Sequence, residues 1–377
     1  MKPLVSNNIC ALVPYIPGRP AAQREKELGL KYAVKLESNE NPFGPSPLAL
    51  AAARAACIDM HRYPDDRAHA LRQRLAVLHA VSADEIVLGH GSNELIDLIA
   101  RTFVTQQEHA VVGVPSFSCY ALSLAAANIP TTQVPLRARL FWDLRSVRAA
   151  VRDDTKLVFL DHPGNPTSTH IPAPELRAFI RDLPQDIIVV VDEAYGEFAD
   201  AADYASALSM RAERERLIVL RTLSKAYGLA GLRLGYAISS TEVADYLGRV
   251  RVPFNVNSVA QAAAEAAVDD QAHMLQGIAH NARERVRVTR ALEGMGLRVA
   301  PSQTNFLCVC VARPAGIVHD ALQRAGVFVR PFGPPLHHHL RIGIGLAREN
   351  DRLLEVLPRV LDRLSRDASL DSVEPSP

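Results

Sequence analysis

The sequence predicts an α/β protein: a parallel β-sheet covered by helices on both faces, followed by a smaller α+β domain. Three observations support this. Between about residues 45 and 255, short β-branched runs alternate with helical patterns. The runs at 157–160, 187–191 and 217–220 are apolar at nearly every position, as strands buried on both faces are. After residue 255 the character changes to an Ala-rich and then Arg-rich helical stretch, followed by shorter strands and helices.

In chain order, residues 1–44 carry several prolines and no sheet-like pattern. They read as an N-terminal arm that contributes part of the smaller domain and packs on another surface, such as a second subunit. The large α/β domain spans 45–255. Its pairs are "EIVLG" then "SNELIDLIARTFV", "AVVGVP" then "SFSCYALSLAAAN", and "KLVFLD" then "APELRAFIRDL"; "DIIVVVDEAY", "RLIVLRT" and "GYAIS" follow. Residues 256–366 form a linking helix and the smaller domain. The stretch from "NSVAQ" to "EGMG" reads as one long helix. "LRVAP", "NFLCVCVA", a helix near 314–325, "VFVRPF", "LRIGIG" and a final helix near 347–366 come after it. The polar tail 367–377, ending "DSVEPSP", is expected to be disordered.

The charge balance is close to neutral, 42 basic against 41 acidic residues, which leaves no electrostatic case for nucleic acid or an anionic membrane. No apolar run reaches the roughly 18–20 residues of a membrane helix, and the proline-rich start does not read as a signal peptide. A soluble, cytoplasmic protein is expected. Among the five cysteines no CxxC pair occurs. Cys308 and Cys310 share one face of a strand and read as small apolar fillers rather than redox or metal ligands.

The chemistry gathers at the ends of the apolar runs. In "VLGHGSNELIDLIA" a strand ends at Gly89 and a helix begins near Ser92. This is either an ordinary helix start or a phosphate cradle built from free N–H groups and the positive end of the helix dipole. Glu94 stands where the third glycine of a dinucleotide fingerprint belongs. In "VVVDEAYGEF", Asp192 ends a strand buried on both faces; a carboxylate there needs a cation or strong donors, unless it only caps the next segment. Gly91, Asp161 and Thr222 sit at similar strand ends, where open α/β sheets bind ligands.

The third stretch is "RTLSKAYGLAGLRLGY". Lys225 follows a strand end among Ala226, Gly228, Ala230 and Gly231. Alone it could be a surface lysine in a loop. In an apolar setting it loses its proton easily and can attack a carbonyl to form a Schiff base. Thr222, Ser224 and Arg233 offer two hydroxyls and a guanidinium fork for a phosphate. A phosphate, an aldehyde at a lysine and an acid opposite describe pyridoxal 5'-phosphate.

The chain resembles the class II, fold-type I pyridoxal-phosphate-dependent aminotransferases, and within them the histidinol-phosphate aminotransferases. "KLESNENPFGPSP", "RYPD", "LGHGSNEL", "VPSFSCY", "GNPT", "VVVDEAY", "RTLSKAYGLAGLRLGY", "RVPFNVNS", "PSQTNF" and "LRIGIG" carry the resemblance over nearly the whole length. It implies a three-layer α/β/α domain with a mostly parallel mixed sheet and a smaller α+β domain. It also implies that Lys225 is the Schiff-base lysine and proton shuttle. Asp192 would pair with the pyridinium nitrogen, Tyr195 and Asn165 would donate to the ring's phenolic oxygen, and Phe117 would stack on the ring. The amides of Ser92 and Asn93, the hydroxyls of Thr222 and Ser224, and Arg233 would hold the phosphate. Tyr63 would reach that phosphate from the partner of a homodimer with shared active sites. Arg341 would bind the anionic end of the substrate, with Tyr15, Asn39 and Arg330 lining the substrate side. No metal is implied.

The implied reaction is ping-pong transamination of L-histidinol phosphate with 2-oxoglutarate, giving imidazole-acetol phosphate and L-glutamate in histidine biosynthesis. An aromatic (phenylalanine/tyrosine) aminotransferase, and further off a decarboxylase of a phosphorylated amino acid, use the same scaffold, and Arg341 would accept a phosphate or a carboxylate equally well. Two stretches depart from the family pattern. "LDHPGNPTST" has Gly164 where an asparagine is usual and Ser168 where a glycine usually follows. His162 in it is either a pocket residue or a locally packed turn residue. His337, His338 and His339 precede the substrate arginine; neighbours in an extended chain point to opposite faces, so they are a poor metal site and read as a loop or as a substrate-facing histidine.

Overall fold

The computed structural model describes residues 4–14 and 18–371, with side chains described to residue 366. Thirteen strands occur among them: β1 Val34–Lys35, β2 Ile86–Gly89, β3 His109–Val114, β4 Thr131–Pro135, β5 Thr155–Asp161, β6 Ile188–Asp192, β7 Leu217–Thr222, β8 Gly235–Ile238, β9 Arg298–Val299, β10 Phe306–Cys310, β11 Val327–Phe328, β12 Arg330–Pro331 and β13 His339–Gly343.

Seven strands form the large sheet in the order β2-β8-β7-β6-β5-β3-β4. Strands β7, β6, β5, β3 and β4 pair in parallel, and β8 runs against both its neighbours, β7 and β2. The sheet is therefore mostly parallel and mixed, as expected. Its strands are apolar at successive positions because both faces are covered. Leu157, Phe159, Val190, Ile218 and Leu220 face a core with Leu95 and Ile99 of helix Gly91–Phe103 and Val243 and Leu247 of helix Thr241–Val250. Val158, Leu160, Val189, Val191 and Val219 face the opposite core, with Leu176 and Ile180 of helix Ala173–Asp182.

The second sheet, β12-β13-β10-β9, is antiparallel throughout. Beside it β1 pairs in parallel with β11, Val34 opposite Val327. Thus residues near 34, where no sheet pattern was legible, do form a strand; two residues are too few to show a period of two. Val34 and Leu36 join Leu307, Val309, Leu340, Ile342 and Leu353 in one core. The stretch expected to be one long helix is two, Ser258–Asp269 and Gln271–Gly294. Asp270 breaks it by leaving helical angles: its carboxylate accepts the His273 N–H at 3.3 Å and the Ser46 hydroxyl at 2.5 Å. The final helix runs from Ala347 to Asp371, past residue 366 where disorder was expected to begin.

Behind the carboxyl ends of β6 and β7 lies a buried ionic cluster. Arg221 pairs with Glu193 at 2.7 Å and with Glu197 at 3.0 Å. Glu193 is fully buried and also accepts the Ser206 hydroxyl at 2.7 Å and the Ala207 N–H at 2.5 Å. Removing one member of such a cluster strands a buried charge. Arg221→Met is expected to lower the unfolding free energy by about 3–5 kcal/mol, read by denaturant unfolding; a loss near zero would show that the cluster relaxes into water.

Candidate active site

The carboxyl edge of the large sheet carries a cavity of about 200 Å³. Strand register brings its wall together: Asp161 lies opposite Asp192, and Gly235 lies opposite both Thr222 and Gly89. The lining holds Ser92, Asn93, Phe117, Asn165, Asp192, Tyr195, Thr222, Ser224, Lys225 and Arg233, with Asn39, Arg330 and Arg341 on another side. These expected residues thus converge from strands, loops and helix starts far apart in sequence. Tyr63 is absent from that lining; it is 84% exposed and stacks on Phe254 at 4.7 Å. Tyr15 lies outside the described residues.

Lys225 follows β7 in a loop stitched by Leu223 N–H to Leu234 O and Gly228 N–H to Lys225 O, at 3.0 and 3.1 Å. Its Nζ donates to the Ser38 carbonyl at 3.2 Å and stands 5.7 Å from the Tyr195 ring centre. Burial, with Arg341 and Arg233 adding in the same direction, lowers the amine to about 8. Asp192 is buried opposite. Its Oδ2 accepts the Tyr120 hydroxyl at 2.9 Å and its Oδ1 accepts the Ala194 N–H at 3.0 Å. Burial pushes the carboxyl up to about 6 against those two bonds.

The anion cradle is a close approach of backbone and guanidinium. Gly91 opens helix Gly91–Phe103 at φ +76°, and a Cβ there would stand 2.5 Å from Arg233 Nη2. A Cβ on Gly235 would stand 2.6 Å from the Ser92 nitrogen. The helix start has no side-chain cap bond, so its first N–H groups and dipole stay available to an anion. Glu94 instead takes the His90 N–H and Asn255 Nδ2, at 2.5 and 2.8 Å. One expected donor is redirected: the Thr222 hydroxyl donates to Leu234 O at 3.1 Å and accepts the Ser224 N–H at 3.2 Å, bracing the loop rather than pointing a proton at the cradle.

On the other side, Arg341 Nη1 donates to Asn165 Oδ1 and Nη2 to the Glu37 carbonyl, both at 2.7 Å. Asn165 therefore meets the guanidinium through its amide oxygen, which leaves the amide NH₂ as its donor. Arg330 lies opposite Arg341 across β12 and β13. Like charges opposite each other destabilise a strand pair, so two arginines at one cavity favour an anion between them. Tyr195 accepts from Asn39 Nδ2 at 2.9 Å, while Asn39 Oδ1 is buried without a partner among the described residues. An outer cavity of about 650 Å³ shares Phe117, Asn165, Arg330 and Arg341 and is walled by Leu12, Val13, Val114, Phe332 and Leu336.

Sequence reasoning gave no role to Tyr120, Glu37 or Asp161. Tyr120 stands three residues after Phe117 and looks like any core tyrosine; it is fully buried and stacked on Phe159 at 4.9 Å. Glu37 pairs with Arg24 of helix Ala21–Leu28, itself 3.8 Å above the Phe328 ring. Asp161 ends the apolar run 157–160, the same signal that singled out Asp192.

The histidines resolve as local structure. His162 Nδ1 accepts the Ile171 N–H, Nε2 donates to Ala205 O, both at 3.1 Å, and the ring stacks on Tyr204 at 4.6 Å. Burial lowers it to about 3, so it stays neutral. Gly164 is demanded by space: a Cβ would strike Thr167 Oγ1 and stand 3.2 Å from Asp161 Oδ1. Ser168 takes the φ +65° that favours glycine, with its hydroxyl donating to Thr167 O at 2.5 Å. None of His337, His338 and His339 lines the inner cavity. The His337 and His338 carbonyls accept Ala315 and Val311 N–H groups, and His339 borders a separate cavity beside Cys308 and Cys310. Among the described residues no group of three or more His, Cys, Asp or Glu is placed to hold a metal ion, and no helix is long and apolar enough to cross a membrane.

The family pattern "Aminotransferase class I and II" matches residues 31–357. A histidinol-phosphate aminotransferase of Anaeromyxobacter sp. (strain Fw109-5) is 44% identical over 361 residues, spanning 95% of this chain and 99% of that protein. Histidinol-phosphate aminotransferase 2 of Pseudomonas aeruginosa is 43% identical, spanning 95% and 98%. Among solved structures, the histidinol-phosphate aminotransferase from Sinorhizobium meliloti in complex with pyridoxal-5'-phosphate superposes with a TM-score of 0.88 at 32% identity, covering 96% of this chain and 98% of that one.

Proposed function

The chain belongs to the class I and II aminotransferase family, and on that premise we propose that it binds pyridoxal 5'-phosphate and transfers the amino group of L-histidinol phosphate to 2-oxoglutarate. The products are imidazole-acetol phosphate and L-glutamate. The observation that carries this reading is the convergence on one cavity of a lysine amine, a buried carboxylate and an arginine-lined helix start.

The residues fit the cofactor. The missing side chain of Gly91 lets the Arg233 guanidinium lie against the helix start, where it would hold a phosphate together with Ser92, Asn93 and Ser224. Asn39 Oδ1 is a buried acceptor with no partner among the described residues. When bound, pyridoxal phosphate supplies the aldehyde that carries the amino group and the electron sink that spreads the charge developed at the substrate Cα. Lys225 would take the proton from that Cα and deliver it to the cofactor's former aldehyde carbon, a task suited to an amine with a pKa of about 8, which is partly neutral near pH 7.5. Asp192 holds a proton on the ring nitrogen by remaining an anion. Tyr195, whose oxygen accepts from Asn39, would donate its hydroxyl to the ring's phenolic oxygen. Phe117 covers the ring face. Arg341 and Arg330 grip the anionic end of the substrate.

The reading carries a homodimer with shared sites. The exposed Tyr63–Phe254 stack, with Ile58 and Met60 exposed nearby in sequence, is apolar surface that a subunit contact would cover. It also carries a cytoplasmic location, which agrees with five free cysteines. The proposed domains are the arm to residue 44, the cofactor domain over 45–255 and the smaller domain over 256–366.

A second reading, an aromatic amino acid aminotransferase, draws on the apolar walls of the outer cavity. One panel separates the two: single-turnover amino transfer to the loaded enzyme from histidinol phosphate, phenylalanine, tyrosine and histidine. Histidinol phosphate is expected to be fastest, and Arg341→Gln to raise its KM about 10- to 100-fold, the worth of two charge-assisted hydrogen bonds. If phenylalanine matches histidinol phosphate, the named substrate falls and the reaction class stands.

A further inference from the structure

We propose that Asp161 is a positioning residue of this site, whose carboxylate fixes the ring-covering Phe117 and the substrate-side Asn165–Arg341 pair as one unit. The inference rests on the proposed function. Asp161 lines the cavity yet is almost wholly buried. Its Oδ2 accepts the main-chain N–H of Asn165 at 3.0 Å and that of Phe117 at 3.3 Å. Its Oδ1 accepts Trp142 Nε1 at 3.1 Å, and its carbonyl accepts the same indole N–H at 3.1 Å. Asn165 then passes the constraint on, through Oδ1 to Arg341 Nη1.

The donor set says why a carboxylate is needed. Three N–H groups meet two oxygens, and these bonds call for acceptors only, which a carboxylate supplies and an amide does not. That set opposes burial and the charge of Asp192, which together push the group up to about 7. The two acids do not compete, because Asp192 draws on a separate pair, the Tyr120 hydroxyl and the Ala194 N–H. The indole is held in turn by close packing: a Cβ on Gly113 would stand 2.5 Å from its ring edge.

In Asp161→Asn one oxygen becomes an NH₂ group. It must face either the indole N–H or the two main-chain N–H groups, donor against donor. Trp142→Phe removes the indole donor. In the double variant the amide can turn its oxygen to Phe117 and Asn165 and its NH₂ to the vacated side. The test uses the full-length protein with added pyridoxal phosphate and reads three quantities: cofactor Kd by equilibrium dialysis, the visible circular dichroism of the bound cofactor, and KM against kcat for histidinol phosphate. For Asp161→Asn, Kd and KM are each expected to rise about tenfold, the visible dichroism to weaken, and kcat to fall less than KM rises. Trp142→Phe alone should stay within about threefold of wild type, and the double variant should recover at least about threefold of each loss.

Wild-type Kd, dichroism and KM in Asp161→Asn would overturn the proposal, and so would a double variant no better than the single one. If Asp161→Asn does not fold, the double variant is read directly against Trp142→Phe; parity supports the proposal, and failure of the double variant to fold overturns it in favour of a purely structural role. Wild-type protein that takes up no cofactor would instead overturn the proposed function, and this inference with it.

Discussion

Lys225→Ala is expected to be colourless after incubation with pyridoxal phosphate and to lose turnover by about 10⁴-fold or more, the upper range for removing a proton-transfer group. The amine is a nucleophile at the cavity wall with a depressed pKa, and alanine replaces neither its covalent bond nor its proton shuttle. The fold should survive. Among the described residues the side chain makes a single hydrogen bond, to Ser38 O, and its loss removes a buried amine that burial already disfavours as a cation. Borohydride reduction of the wild type, followed by peptide mapping, should place the label on Lys225. The pH dependence has a definite sign: the ammonium is the disfavoured form, so covalent uptake of the cofactor should quicken as pH rises through about 8 and level off above it. An alanine variant with the wild-type visible band would end the Schiff-base assignment.

How far this site could be read from sequence depends on whether a residue's environment repeats along the chain. Val158, Leu160, Val189, Val191 and Val219 alternate with Leu157, Phe159, Val190, Ile218 and Leu220 because two cores take alternate residues. A charged or polar group ending such a run has few places to go, which is why Asp192, Thr222 and Lys225 stood out. Asp161 gave the same signal. Its role was illegible because its partners are two main-chain amides and an indole, and main-chain amides leave no mark on residue identity. The same holds for Thr222, whose hydroxyl turned to Leu234 O.

Contacts made once, across long stretches of chain, were not legible at all. Tyr120 meets Asp192 from a helix in which it could pass for core. The two-residue β1 and the break at Asp270 fall below the length at which periodicity speaks. His162 shows the converse. A histidine in a departing motif invites a functional role, yet both ring nitrogens are committed to backbone groups.

Asp192→Asn should leave the fold and cofactor uptake intact while lowering kcat about 10³-fold, the range seen when a preorganised charge partner is removed. Asparagine can keep the local bonds: its oxygen accepts the Ala194 N–H, and its NH₂ donates to the Tyr120 oxygen, which a hydroxyl permits. What it cannot supply is negative charge at the ring nitrogen. Burial pushes the carboxyl up only to about 6, so it is ionised from pH 7 upward, and a cation beside it would lower that value. The wild type should therefore show no loss from this group between pH 7 and 9, whereas the variant should be slow across the whole range. Steady-state kcat and the visible spectrum of the same samples separate the two effects: an absorbing but slow enzyme supports the charge role. Near-normal kcat would mean that the charge is dispensable, because Asp161 cannot stand in for it. Although it is the register partner of Asp192, its oxygens are already taken by Phe117, Asn165 and Trp142.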